Sequence, residues 1–283
     1  MSARVENKFI PIDGLEIRYI EEGAGKPVIL LHGASLGSSA DVFRRNMSAL
    51  AKEGFHAIAF DSPGFGLSGA PSDHSPAYRA ATILRFMDAL HIHKAAIVGH
   101  SQAGGPAVQL ALKHPERVSN LVVLGTGSLL PPADDSMKEP GAARTQAAEP
   151  KAADMKEPTL EDTTNQLVWN LFHTELATKE ELRERHAHSV GKNFDAFVAR
   201  ARWGEERAAK EGGAPMWKQL VEVKQPFLLL FGRQDRSWAY KRAMKLKEIY
   251  PSLDLRVLED CKHMVPWDAA EEWVRLATPV LRK

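Results

Sequence analysis

The stretch Ala95-Ala96-Ile97-Val98-Gly99-His100-Ser101-Gln102-Ala103-Gly104-Gly105 reads as a short buried strand that runs, with no room for a loop, into a helix ending near His114. A turn that abrupt needs small residues on both sides of Ser101. It leaves the serine on strained backbone with its hydroxyl exposed above the edge of a sheet. Amide hydrogens at the start of the helix are unpaired and point at any negative charge that develops beside that hydroxyl. Read alone, glycine and serine after a strand only cap a helix. Ala103 also puts a methyl group, which crowds the neighbouring strand, where a second flanking glycine is usual. The rest of the chain decides between the two readings.

Toward the N-terminus, Phe9 to Ile12 and Leu15 to Ile20 flank Asp13-Gly14, the signal of an antiparallel hairpin. Short apolar runs at Val28 to Leu31, Ala57 to Phe60, Ala95 to Val98 and Val118 to Leu124 then alternate with helical patterns at Phe43 to Lys52, Tyr78 to Leu90 and Gln102 to His114. This alternation predicts crossover connections and a parallel sheet covered on both faces. From Pro131 to Pro158 large apolar side chains nearly vanish and Met-Lys-Glu-Pro occurs twice, at Met137 to Pro140 and Met155 to Pro158, so a long mobile surface loop or loosely packed helix is expected. Helical patterns resume at Leu160 to Phe172 and Lys179 to Trp203, with Trp169, Phe172, Phe194, Phe197 and Trp203 able to face inward. The sheet pattern returns at Phe227 to Phe231 and Leu255 to Leu258, with helices at Trp238 to Tyr250 and Asp268 to Leu281. The expected layout is a core of residues 1–130 and 216–283 interrupted by a helical cap, or lid, at 131–215.

A chain of 283 residues that is 44% hydrophobic and 26% charged suits one soluble α/β domain with an insertion. The formal net charge of +1 leaves no electrostatic footprint for nucleic acid or an anionic membrane, so a small-molecule partner is expected. Cys261 is the only cysteine, which rules out an intrachain disulfide and suits a reducing compartment. Met1 to Lys8 is polar, and no run reaches the ~18 apolar residues of a membrane span, so a cytoplasmic protein is expected. The sequence does not fix the oligomeric state, and a homodimer is one assembly open to it. His91 and His93 sit at a helix end with no carboxylate cluster beside them, and no glycine loop has phosphate-binding spacing, so neither metal nor cofactor is expected.

In a sheet of this kind ligands bind outside the carboxyl ends of the strands, and each strand end here offers a group. After Leu31 comes His32-Gly33-Ala34, where the Ala34 amide can face the same spot as that of Gln102 and form an oxyanion hole. After Phe231 comes Gly232-Arg233-Gln234-Asp235, and after Leu258 comes Glu259-Asp260-Cys261-Lys262-His263. The order Ser, Asp, His is that of the α/β-hydrolases. His263 would take the Ser101 proton during attack and return one to the leaving group, while Asp235 would fix the imidazole tautomer and stabilise the imidazolium. The plainer alternatives are that Asp235 caps the helix near Trp238, that His263 is a surface histidine, and that His32 and His100 hold loops.

From about Phe9 to Leu281 the sequence resembles the α/β-hydrolase superfamily, through His32-Gly33, Asp61-Ser62-Pro63-Gly64-Phe65-Gly66-Leu67-Ser68, the turn at Ser101, Arg117-Val118 and Gly232-Arg233-Gln234-Asp235. Within it the chain is most similar to the meta-cleavage product hydrolases, which cleave a carbon–carbon bond in 2-hydroxy-6-oxo-dienoates. The resemblance over Thr178 to His186 implies that Arg185 is the cap arginine that binds the substrate carboxylate. The chain departs from that family at His100 and Met264, where the family has Asn and Trp, and both are candidate substrate contacts. It departs again at Ala103, where the family has Gly, and at Ala34-Ser35-Leu36-Gly37, where the family has a Gly-Pro-Gly loop.

Two bonds therefore stay open for a serine hydrolase acting on a small acid: an ester, for which monoesters of aromatic diacids fit, or the activated carbon–carbon bond of a dienoate. A cofactor-free oxygenase on the same scaffold and a non-catalytic small-molecule receptor are the alternatives from other classes. A haloalkane dehalogenase is disfavoured because it needs Asp at the place of Ser101.

Overall fold

The computed structural model describes residues 5–134, 137, 151–208, 215–236 and 238–283. Eight strands form one sheet: β1 (Lys8–Ile12), β2 (Leu15–Glu22), β3 (Lys26–Leu31), β4 (Phe55–Phe60), β5 (Ala95–His100), β6 (Val118–Leu124), β7 (Phe227–Gly232) and β8 (Asp254–Leu258). Their spatial order is β1-β2-β4-β3-β5-β6-β7-β8. The hairpin β1–β2 turns at Asp13 and Gly14, both at positive φ, and pairs antiparallel with β4, while every later pairing is parallel. The parallel strands are buried on both sides, so they read as unbroken apolar runs whose alternate residues serve two cores. Val28 and Leu30 of β3 join one core and Ile29 and Leu31 the other; Leu228 and Leu230 of β7 divide from Leu229 and Phe231 in the same way.

Helices α1 (Arg44–Lys52), α8 (Val265–Asp268) and α9 (Ala270–Leu281) cover the first face, with Met47, Leu50 and the fully buried Trp273. Helices α2 (Pro76–Ala89), α3 (Gly104–Lys113) and α7 (Ala239–Ile249) cover the second, with Phe86, Val108 and Leu246. From β3 the chain moves to β4 on one side and then crosses back to β5 on the other. That reversal opens a crevice beyond the carboxyl ends of β3 and β5.

Between β6 and β7 lie α4 (Leu160–Trp169), α5 (Lys179–Ala187) and α6 (Lys192–Ala208). Thr159 and Thr178 start α4 and α5 with capping boxes to Asp162 and Glu181. The continuous helix expected from Lys179 to Trp203 is instead broken, because Gly191 sits at φ +60 and the chain reverses there. The expected inward face is also corrected: Phe172 is exposed, and Leu167 and Leu171 take the buried positions. The loop expected over 131–158 falls largely outside the described residues, as does the first Met-Lys-Glu-Pro copy beyond Met137. Charged and polar contacts join these helices to the sheet domain: Arg44 to Glu184 at 2.7 Å, Arg45 to Glu181 at 2.6 Å, and Asn193 Nδ2 to the Gly66 carbonyl at 2.8 Å.

The strand ends are tied together by one buried ion cluster. Arg18 on β2, fully buried, donates to Asp61 Oδ1 at 3.1 Å, to Asp41 Oδ1 at 2.5 Å and to Asn7 Oδ1 at 3.0 Å. Asp61, just past β4, also accepts the N–H groups of Ala40 at 2.6 Å and Leu67 at 2.8 Å. Burial works against the Arg18 charge, but Asp61 and Asp41 outweigh it and its pKa is raised. Asp61→Ala removes one of the two carboxylates on that guanidinium and leaves two amides without their acceptor, and is expected to cost about 3–5 kcal/mol, read as a shift in urea midpoint.

Candidate active site

At the end of β5 the backbone enters a left-handed conformation at Ser101, φ +55, and α3 begins three residues later. Such a φ costs a residue with a side chain roughly 1–2 kcal/mol, so its surroundings must hold it. Added Cβ atoms locate the tight points. One on Gly99 would lie 2.8 Å from the Ala103 carbonyl oxygen, one on Gly104 2.2 Å from Thr126 Oγ1, and one on Gly33 2.9 Å from Ser101 Cβ. Thr126 Oγ1 donates to the Ser101 carbonyl at 2.6 Å and pins the turn from the end of β6. Crowding therefore falls at Gly99 and Gly104, while Ala103, expected to crowd a strand, borders a cleft and packs against the second core.

Ser101 Oγ lies 2.8 Å from His263 Nε2, and His263 Nδ1 lies 3.1 Å from Asp235 Oδ2. Three segments far apart in sequence thus bring a hydroxyl, an imidazole and a carboxylate into line. Asp235 does not cap a helix: its Oδ1 takes the Arg236 N–H at 2.7 Å, and α7 starts at Trp238 with no side-chain cap. Burial opposes ionisation of Asp235, but His263, its hydrogen bonds and Arg236 outweigh that and hold the carboxyl below the usual range. Gly33 places the Ala34 segment against Ser101, and Arg200 grips that segment through the Ala34 carbonyl at 2.7 Å. Gln102 and Ala34 border the same cleft.

The other expected residues divide. Arg185 is buried and reaches the loop after β3, donating to Ser35 Oγ at 3.2 Å and to the Leu36 carbonyl at 3.1 Å; its Nε has no partner and no carboxylate pairs with it among the described residues. Burial alone lowers its pKa to about 10. His100 and Met264, expected as substrate contacts, are both buried, 3% and 4% exposed. His100 Nε2 donates to the His263 carbonyl at 2.9 Å, and the Met264 N–H donates to the Asn170 carbonyl at 3.2 Å. His32 is likewise a loop anchor: its Nε2 accepts the Ser62 N–H at 3.0 Å and its Nδ1 donates to the Gly33 carbonyl at 2.6 Å.

The structure adds residues that the sequence did not single out. Arg236 lies 3.3 Å from His263 Nε2, binds Asn170 Oδ1 and stands over the Trp169 ring. Asp268 accepts the N–H groups of His173 at 3.0 Å and Lys262 at 2.9 Å, tying the α4 end to the histidine loop. Arg236 stands in the Gly-Arg-Gln-Asp-Arg run, so a signal was present; Asp268 and Thr126 carry none.

A family model described as the alpha/beta hydrolase fold matches residues 26–270. The chain belongs to the α/β-hydrolase family. It is 31% identical over 283 residues to the 2-hydroxy-6-oxononadienedioate/2-hydroxy-6-oxononatrienedioate hydrolase of Burkholderia vietnamiensis, covering 96% of this chain and 93% of that one. It is 27% identical to the 2-hydroxy-6-oxo-6-phenylhexa-2,4-dienoate hydrolase of Comamonas testosteroni, with 94% and 91% covered. Among solved structures, the meta-cleavage product hydrolase of Pseudomonas fluorescens in complex with acetates superimposes with a TM-score of 0.76 at 26% identity, covering 98% of each chain. No helix among the described residues of this α/β-hydrolase is long and apolar enough to cross a membrane.

His100 gives the site an acid limit. Burial first, and then neighbouring His263, lower its pKa from 6.5 to about 3. The unfolded chain therefore binds a proton across that window that the folded chain does not, so stability is complete above about pH 6.5 and falls as the pH drops toward 3, by at most about 1.4 kcal/mol per unit. Urea unfolding at pH 7, 6 and 5 should show this slope, and His100→Gln should flatten it; equal slopes in both proteins would contradict it.

Proposed function

We propose that this hydrolase opens the carbon–carbon bond of a 2-hydroxy-6-oxo-dienoate, with Ser101 as nucleophile, His263 as base and then acid, and Asp235 as its partner. The observation that carries the reading is the unbroken line from Ser101 Oγ through His263 to Asp235, at 2.8 and 3.1 Å, with the buried cation Arg185 above the same strand ends. The names of the relatives support the substrate class.

In this reading the substrate carboxylate supplies the acceptor that Arg185 Nε lacks. Ser101 adds to the C6 carbonyl as His263 takes its proton, and the amides of Ala34 and Gln102 receive the developing oxyanion. The step runs on the 2-keto tautomer, in which the C2 hydroxyl proton has moved to C5: the C5–C6 bond breaks, its electron pair delocalises through C4 and C3 onto the C2 oxygen, and His263 gives its proton to that oxygen. Water, deprotonated by His263, then releases the acyl half as a carboxylic acid, so the net change is one water added across one carbon–carbon bond. Residues 1–130 and 216–283 serve as the catalytic core and 131–215 as its cap. The free, buried thiol of Cys261 suits a reducing cytoplasm.

Ser101→Ala should lower dienoate turnover by about 10⁴-fold or more, followed as loss of the dienoate absorbance, and should abolish labelling by a fluorophosphonate. Faster turnover of a nitrophenyl ester than of any dienoate would reassign the enzyme as an esterase, and oxygen uptake that survives Ser101→Ala would reassign it as an oxygenase. Arg185→Gln should lower kcat/KM by about 10–100-fold for a substrate with a free carboxylate, and should have a much smaller effect on its methyl ester.

A further inference from the structure

Four arginines among the described residues hold a buried Nε without a hydrogen-bond partner: Arg44, Arg45, Arg79 and Arg185. Arg44 and Arg45 place their terminal nitrogens on Glu184 and Glu181, and Arg185 places its own on Ser35 and Leu36. The side chain of Arg79, in the first turn of α2, makes no hydrogen bond or ion pair with any described residue. Burial alone lowers its pKa, with no neighbouring carboxylate to offset it. Arg79 is partly buried: its Nε is enclosed without an acceptor, while its terminal nitrogens are unpaired and not enclosed, so an anion can reach them.

Arg79 lies between two clefts. One is bordered by Gly33, Ala34, Phe65, Gln102 and Ala103, and so opens beside Ser101 at the place where the oxyanion is proposed to form. Its walls carry no acidic side chain, Arg79 is their one cation, and His32 has both ring nitrogens engaged. The second cleft holds Asp73, His74 and Arg200 on the far side of Arg79. Burial first, and then Arg200, lower the pKa of His74; Asp73 works against this and Arg79 adds to it.

We propose that Arg79 binds a second carboxylate of the substrate, carried on the acyl half, so that the true substrate is a dicarboxylate held by Arg185 at one acid and by Arg79 at the other. The inference rests on the reaction assigned above. A planar guanidinium with free donors matches a carboxylate through two parallel hydrogen bonds, whereas a phenyl group offers it no acceptor. The relatives divide on this point, since one is named for a nonadienedioate and another for a phenylhexadienoate.

The test compares kcat/KM for 2-hydroxy-6-oxononadienedioate and for 2-hydroxy-6-oxo-6-phenylhexa-2,4-dienoate in wild type, Arg79→Gln and Arg79→Lys, with melting temperatures as a folding control. Wild type should prefer the dioate, Arg79→Gln should reduce that preference by about 30-fold or more, and Arg79→Lys should retain part of it. In parallel, succinate, the four-carbon diacid that the dioate's acyl half becomes, is titrated calorimetrically into Ser101→Ala with and without Arg79→Gln. Weaker succinate binding with Arg79→Gln supports the subsite even if neither dienoate is turned over, in which case the assigned reaction fails and the subsite stands. A preference for the phenyl substrate in wild type, or a preference and a succinate affinity that Arg79→Gln leaves as they were in a folded protein, overturns it.

Discussion

Between His100 and Gly104 the chain changes from a buried strand to a helix within three residues, and it can do so only with Ser101 in a left-handed backbone state. Everything nearby is arranged to tolerate that state. Side chains are absent at Gly99, Gly104 and Gly33, where each would collide, and Thr126 takes hold of the Ser101 carbonyl from the adjoining strand. Because the turn is over-determined by packing, the hydroxyl is fixed at the sheet rim before any substrate arrives, as preorganised catalysis requires. His100, immediately upstream, extends the same rigidity by binding the His263 carbonyl, so the serine strand and the histidine loop are fastened to each other as well as facing each other.

Buried cations in this molecule fall into two kinds, and the difference is informative. Arg18 is surrounded by Asp61, Asp41 and Asn7, its charge is matched, and its task is to hold loops at the strand ends. Arg185 is buried and Arg79 partly buried, and neither pairs with a carboxylate among the described residues. The first kind is explained by the fold alone, since a network with every donor satisfied is stable in a low dielectric. The second kind is not, because desolvating a charge without compensation lowers stability, and an anion from outside is the natural compensation. The helices between β6 and β7 contribute Arg185 and stay on the sheet domain through Arg44–Glu184 and Arg45–Glu181, contacts exposed enough to be modest in strength.

Periodicity alone was enough to read the alternation of strands and helices, the hairpin at Asp13-Gly14 and the insertion before β7, because burial on two faces forces unbroken apolar strands and burial on one forces helical spacing. Local order around Ser101, Asp235 and His263 was legible for the same reason: each follows directly on a strand, and parallel strands deliver their ends to one rim. The break at Gly191 escaped that reasoning, since a single glycine inside a helical pattern is tolerated as often as it ends one. Exposure of Phe172 escaped it as well, because the helical pattern was read through to Phe172 whereas α4 ends at Trp169 and leaves Phe172 in the bend beyond it.

What the amino-acid order determined by itself was therefore the architecture and the three chemical groups that its strand ends present. Distances between those groups, the engagement of His100 and Met264 with backbone, the contact of Arg236 with the imidazole and the isolation of Arg79 were decided only by tertiary packing. Pattern reports how each segment buries its own side chains. Whether a charged or polar group finds a partner depends on segments brought together from across the chain, separated by 163 residues in the case of His100 and His263 and by 256 in that of Lys26 and Arg282.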